Sequence, residues 1–237
     1  MNTGKFVFAQ IVTFLPARAF DRCVARYQGN KWVKHFTCWN QLLCMMFGQL
    51  SNRDSLRDLL VCMNAHQSKH YHLGFGSGVS RSNLANANEK RSYRIFEDFA
   101  YELIKEARQL CMQDSDFTLS IQGNVYAFDS SVIDLCLNVF WWATFRKAKA
   151  AIKLHTLFDV KTSIPVFVHI TAASVHDVNG FDEISFEPGG YYIFDRGYTD
   201  FYRLNLVTER GAFFVTRARD NIRFNRVASA QANKKRI

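Results

Sequence analysis

The chain has 237 residues, 48% of them hydrophobic, which is ample for one large domain or two small ones and excludes wholesale disorder. Its 30 Lys and Arg against 21 Asp and Glu give a formal charge of +9, which points to a polyanionic partner, either a nucleic acid or an anionic surface. No apolar run approaches the ~20 residues of a membrane span, so a soluble, cytoplasmic protein with no membrane association is expected.

The first half reads as helices. Lys5–Leu15 imitates a signal peptide, but Gln10 and Thr13 interrupt the apolar stretch and Arg18 falls inside the small-residue site. Val7, Ile11 and Phe14 or Leu15 recur instead at the spacing of a core-facing helix. Arg18–Tyr27 follows Pro16, a residue suited to a helix start. Thr37–Leu50 comes next with Thr37 as its cap, then Ser55–Asn64 with Leu56, Leu59, Leu60 and Met63 on one face. The glycines of Leu73–Val79 fit no phosphate loop, because no Lys-Ser/Thr follows them, and the segment is read as a linker or turn. Tyr93–Met112 predicts a long amphipathic helix, and Gln113–Asp116 a boundary. An all-α N-terminal domain over residues 1–115 is therefore expected. It is either a DNA-binding module or a helical support. Six scattered cysteines (23, 38, 44, 62, 111 and 136) form no C-x2-C pair, and reduced, buried thiols are expected rather than a zinc site built on Cys38, Cys44, Cys62 and His66.

After residue 117 the period changes. Val125–Phe128, Ala151–Phe158, Pro165–Ile170, Tyr191–Phe194 and Ala212–Thr216 are short runs of β-branched and aromatic residues, and Asp200–Glu209 is amphipathic. Two of the runs end in aspartate: Val125–Phe128 leads into Asp129, and Tyr191–Phe194 into Asp195. Carboxylates at strand ends face a cleft, and a pair of them suits Mg²⁺ (or Mn²⁺), which takes oxygen ligands and offsets phosphate charge. Taken singly, either Asp is explained as a turn or strand-end cap. Lys153 and His155, two apart on one strand, share a face, although His155 is also open to a core role. Trp141 and Trp142 are read as core aromatics rather than base-stacking platforms. Beyond the last strand, residues 217–237 carry seven Lys or Arg against Asp220 alone, a basic tail from 218 that is either a solvated end or a DNA contact.

The segments Tyr126–Ser131, Lys153–His155, Thr171 to Asp177 and Phe194–Tyr198, in this order, resemble the DDE transposases of the insertion-sequence IS-four group, and Phe214–Asn221 is similar as well. The resemblance implies an α/β fold of RNase H-like kind over residues 120–217, a mixed sheet in the order β-β-β-α-β-α-β preceded by the all-α domain. It implies that Asp129 and Asp195 are the first two catalytic, metal-holding acids. Arg196, Tyr198, Lys153, His155, Arg217, Arg219 and Asn221 would then lie along the DNA, with Arg196 equally able to pair with a local carboxylate. The implied partners are double-stranded DNA, as transposon ends and target, and a second copy of the chain as a homodimer on that DNA.

One element of the resemblance is missing. The third acid of such enzymes lies on a late helix with the pattern Y-x2-R-x3-E-x6-K, and after Thr216 the only acidic residue is Asp220, too near the last strand for that role. The expectation is a truncated transposase, cut short by a frameshift, a stop or a fragment boundary. Its function would be metal-dependent DNA cleavage and strand transfer, with the chain inactive alone. The alternative is a DNA-binding transposase remnant that acts as a non-catalytic regulator or inhibitor.

Overall fold

The computed structural model describes residues 6–75, 78–111, 121–135, 144–146, 149–220 and 222–223. The chain divides into two compact units, residues 1–110 and 111–237. Among the described residues no helix is long and apolar enough to cross a membrane.

The first unit holds α1 (Val7–Val12), α2 (Ala17–Arg26), α3 (Cys38–Leu50), α4 (Leu56–Ala65), α5 (His70–Leu73), α6 (Arg81–Lys90) and most of α7 (Arg94–Cys111). Side-chain caps hold the starts of α3 and α4. The Thr37 hydroxyl accepts the Asn40 amide at 3.3 Å, and the Ser55 hydroxyl accepts that of Asp58 at 3.1 Å. One core gathers Phe8, Leu43, Cys44, Leu59, Met63, Phe75 and Leu84, and a second gathers Phe20, Cys23, Cys38, Ile95 and Phe99. Cys38 and Cys44 are thus buried in different clusters, and burial pushes the Cys44 thiol up to about 12. Cys136 lies outside the described residues.

Two helices here are not anticipated by the apolar pattern. In α6 only Leu84 and Ala87 are buried, a stripe too narrow to register as amphipathic. The usable signal was Ser80, whose hydroxyl accepts the Asn83 amide at 3.2 Å. The segment read as a linker begins as α5 closes on Gly74, which takes the left-handed conformation (φ +88°) that ends many helices.

The second unit is built on a mixed sheet: β1 (Val125–Leu135), β2 (Thr144–Arg146), β3 (Lys149–Asp159), β4 (Ile164–Ala172), β5 (Tyr191–Phe194) and β6 (Phe213–Thr216). Helix α8 (Phe201–Glu209) joins the last two strands, and the carboxylate of Asp200 caps it on the Arg203 amide at 3.0 Å. The sheet runs β4-β3-β1-β5-β6, with β2 on the end of β3. β1, β3 and β4 form an antiparallel meander, while β1–β5 and β5–β6 are parallel. This is the expected RNase H-like α/β arrangement, with one difference. The helix foreseen between the third and fourth long strands is a 3₁₀ turn, Asp177–Glu183. Its tight winding brings Gly180 so close to the sheet that a Cβ there would lie 2.7 Å from His155 Nδ1 and 3.1 Å from Phe128 Cζ.

Side chains alternate across these strands. Tyr126, Phe128, Tyr192 and Phe194 point into a core completed by Leu157, Phe181, Tyr198, Leu204 and Val207. The opposite face is open: Asp129, Ile193 and Asp195 are exposed on it.

Candidate metal centre

Two adjoining parallel strands set the site. Phe128 of β1 and Phe194 of β5 are register partners, and each is followed directly by an aspartate. Strands in a sheet are roughly 5 Å apart. Because Phe128 and Phe194 are both in the core, alternation turns Asp129 and Asp195 together onto the open face; Asp195 keeps extended dihedrals (φ −72°, ψ 160°). Asp129 Oδ1 accepts the Ser130 amide at 2.8 Å, which orients that carboxylate. The donors are hard, anionic and solvent-reachable, the set that Mg²⁺ or Mn²⁺ accepts when one or two carboxylates and water complete its shell. Among the described residues no group of three His, Cys, Asp or Glu side chains comes together as a metal cluster.

Behind the two aspartates lies a polar knot of buried and half-buried groups. Ser130 points to the core side of β1, where it donates to Asp177 Oδ1 at 2.9 Å. The Lys153 ammonium lies 2.9 Å from the same oxygen and donates to the Val175 carbonyl at 2.7 Å. Burial by itself would raise the Asp177 carboxyl, but hydrogen bonds from Lys153 and Ser130 and the charge of Lys153 outweigh it and hold the group below its ordinary value. His155 is fully buried, stacks on Phe128 (centroids 6.2 Å apart) and shares a 2.9 Å hydrogen bond between Nε2 and Thr171 Oγ1. Burial lowers its pKa.

Tyr198 closes the knot from the turn after β5. It is buried, and burial together with the charges of Asp177, Asp129 and Asp195 pushes its hydroxyl up to about 12, so it stays protonated. Both site aspartates therefore bear electrostatically on one phenol. That turn, Arg196–Tyr198, is in turn held by Arg219, whose guanidinium donates to the carbonyls of Arg196 (3.0 Å) and Gly197 (3.2 Å). Asp195, Arg196, Gly197, Arg219 and Asp220 line an open cavity of about 430 Å³.

The residues singled out from sequence thus separate into two sets. Asp129, Asp195, Arg196 and Arg217 are exposed, and the first two each follow one of the register partners Phe128 and Phe194. Lys153 and His155 do share a face, but it is the core face, paired across β1 to Val132 and Ser130. Tyr198 is buried, and Arg219 is engaged on the turn. Asn221, Trp141 and Trp142 lie outside the described residues. Sequence reasoning missed Ser130, Asp177 as an ion-pair acceptor and the place of Asp220 beside Asp195. Asp177 in particular reads as a helix cap, a role the structure gives to His176, whose Nδ1 accepts the Val178 amide at 3.4 Å.

Comparison with known proteins supplies two family matches. Residues 3–76 match a family described only as a domain of unknown function, DUF4372, and residues 121–237 match the family described as a transposase DDE domain. A Sinorhizobium fredii protein named as transposase y4zB is 29% identical over 139 residues, 59% of this chain and 37% of that protein. A Synechocystis protein named as a transposase for insertion sequence element IS4SA is 23% identical, over 65% of this chain and 44% of its own length. A Geobacillus stearothermophilus protein named as a transposase for element IS5377 is likewise 23% identical, over 72% of this chain and 45% of its own length. The chain spans less than half the length of these curated relatives.

Proposed function

With this chain belonging to the DDE transposases, we propose that Asp129 and Asp195 are the first two acids of its catalytic centre and serve metal-dependent DNA cleavage and strand transfer in transposition. The observation that supports the reading is the register of β1 on β5, in which Phe128 and Phe194 are partners and each is followed by an exposed aspartate, Asp129 inside the long strand β1 and Asp195 directly after β5. A bound Mg²⁺ or Mn²⁺ would supply Lewis-acid stabilisation of phosphate charge and an acidified water. The protein's own residues orient and exclude. Ser130 fixes Asp129 through its amide, and its hydroxyl ties the strand to Asp177. Arg219 fixes the turn that carries Asp195. Arg196 and Arg217, exposed beside the pair, are suited to DNA phosphates, while Lys153, His155 and Tyr198 act from inside as positioning residues.

The domain assignment follows the same reading: a helical N-terminal domain over 1–115, the catalytic core over 120–217 and a basic segment from 218, working as a homodimer on double-stranded DNA. Residues 1–237 offer two recognisable acids of the three that the family resemblance calls for. A centre of two carboxylates alone would hold metal weakly and cleave slowly, since each ~1.4 kcal/mol missing from transition-state stabilisation costs tenfold in rate.

Calorimetric titration with Mn²⁺ tests the site. Asp129→Asn and Asp195→Asn should each weaken binding about tenfold or more, as loss of a direct ligand does. Titrations of both variants that match the parent would remove the assignment. Incubation of the parent chain with DNA ends and Mn²⁺ tests the catalytic reading directly, and nicking that Asp129→Asn and Asp195→Asn abolish would support it.

A further inference from the structure

The helical unit contains a cleft of about 560 Å³, walled by residues 27–36 on one side and by α6 and its exit on the other. Its lining is cationic and carries no carboxylate: Lys31, Lys34 and Lys90 are exposed, and none makes an ion pair among the described residues. Arg91 stands at the base. Its guanidinium donates to the carbonyls of Thr37 (3.0 Å) and Phe36 and to Gln41 Oε1 (2.9 Å), all neutral acceptors, so its charge is left uncompensated. The arginine thereby fixes one wall against the other and adds to the positive potential between them. On α6, Leu84 and Ala87 face the core while Asn83, Asn86 and Lys90 line the cleft with amide and ammonium donors.

At the mouth stands Trp32. It is 91% exposed, and its backbone is left-handed (φ +62°), a conformation that is strained for a bulky side chain. The loop around it is held by its own bonds: the Lys31 amide donates to the Gln28 carbonyl at 2.9 Å, and the Cys38 amide to Asn30 Oδ1 at 2.8 Å. Core packing does not account for the ring, since so little of it is covered. The strained backbone and the exposed ring thus stand beside cations that make no ion pair among the described residues.

We infer that this cleft docks double-stranded DNA, with Lys31, Lys34 and Lys90 on backbone phosphates, Asn83 and Asn86 on sugar and phosphate oxygens, and the Trp32 ring against the sugar edge. The chemistry is that of a nucleic-acid footprint: free cations spaced around a cleft, amide donors between them, an aromatic face and no acid to repel phosphate. The assignment rests on DNA being the substrate of the carboxylate pair, but it concerns binding alone.

The test is fluorescence anisotropy of a labelled duplex with the whole 237-residue chain, over a range of salt concentrations. The triple variant Lys31→Gln, Lys34→Gln, Lys90→Gln should lose affinity by about 10- to 100-fold, and its logarithmic salt slope should fall by about three, one for each phosphate contact removed. Trp32→Gly should weaken binding several-fold yet leave the helical unit at least as heat-stable, because glycine relieves the left-handed strain. A ring that served folding would give the opposite pair of results. The inference is overturned if the triple variant binds the duplex with the parent's affinity and slope, if the parent binds no duplex, or if single-stranded RNA of equal length displaces the duplex from the parent at lower concentration. Failure of the cleft is thus read in the anisotropy of the lysine variant, and failure of the metal assignment in the Mn²⁺ titration.

Discussion

Ser130, the residue after Asp129, donates its hydroxyl to Asp177 Oδ1 at 2.9 Å, and the Lys153 ammonium sits at the same distance from that oxygen. One carboxylate thus ties β1 and β3 to the turn behind them. Replacing Asp177 with Ala leaves a nearly buried lysine with only the Val175 carbonyl and should cost about 1–3 kcal/mol, at the lower end because Asp177 itself is partly exposed. Ser130→Ala should cost about 1 kcal/mol. The two groups touch, so the double variant should lose less than the sum of the single losses. Native-state hydrogen exchange of the β1 and β3 amides reads this in the second unit alone; simple additivity would show that the contact carries no energy.

A second prediction concerns Gly180. A methyl group there would meet two buried rings, His155 and Phe128, at 2.7 and 3.1 Å, and neither is the loose end of a flexible chain. Gly180→Ala should destabilise the unit by about 1–3 kcal/mol through overpacking. Phe128 precedes Asp129, so the displaced ring should also disturb the metal site and weaken Mn²⁺ binding. A variant with parental exchange protection and parental Mn²⁺ affinity would show that the turn yields without consequence.

The strands of the site were legible because β-branched and aromatic runs ended in turn chemistry, and Tyr191–Phe194 has the same limits in the sheet as in the sequence. β1 runs seven residues further than its apolar run. Asp129 was open to reading as a strand-end cap, but pairing to β3 continues past it to Leu135 opposite Ala150. Long-range pairing overrides local composition there. The polar knot was not legible at all. That Lys153 meets Asp177 depends on the register of three strands and a tight turn, and no spacing in the chain encodes that meeting. Arg219 illustrates the same limit, since a basic residue that folds back on a carbonyl looks, in sequence, like one that reaches for phosphate.

His155 gives a pH dependence with a definite sign. Burial holds its folded-state pKa below the ordinary value of 6.5; the charge of Asp177 opposes the shift, and His169 and Lys153 add to it. Below 6.5 the unfolded chain therefore binds a proton that the folded chain refuses. Stability from this group is complete above about 6.5 and is lost as pH falls toward the lowered folded value. Asp177, also held low, keeps its own contribution until the pH drops below the carboxylate range near 4. Exchange protection of β3 amides should decline from pH 6.5 downward in the parent, and His155→Gln should flatten that upper step while the acid one stays. An upper step that survives in the variant would assign it to another group.

Arg219 offers the sharpest separation of positioning from folding. Its guanidinium donates to the carbonyls of Arg196 and Gly197, the two residues that follow Asp195, and it lines the same cavity as that carboxylate. Arg219 is itself exposed, so its removal leaves no hole in the core and no orphaned buried charge. Arg219→Ala should therefore change stability by less than about 1 kcal/mol. The loosened turn should let Asp195 depart from the geometry shared with Asp129, lowering Mn²⁺ affinity by about three- to tenfold, below the loss from removing a direct ligand. Arg219→Lys keeps the charge but lacks the fork that spans two carbonyls, so it should recover little of the affinity. Full recovery by lysine would show that charge alone, acting through space, is what Arg219 contributes to the site.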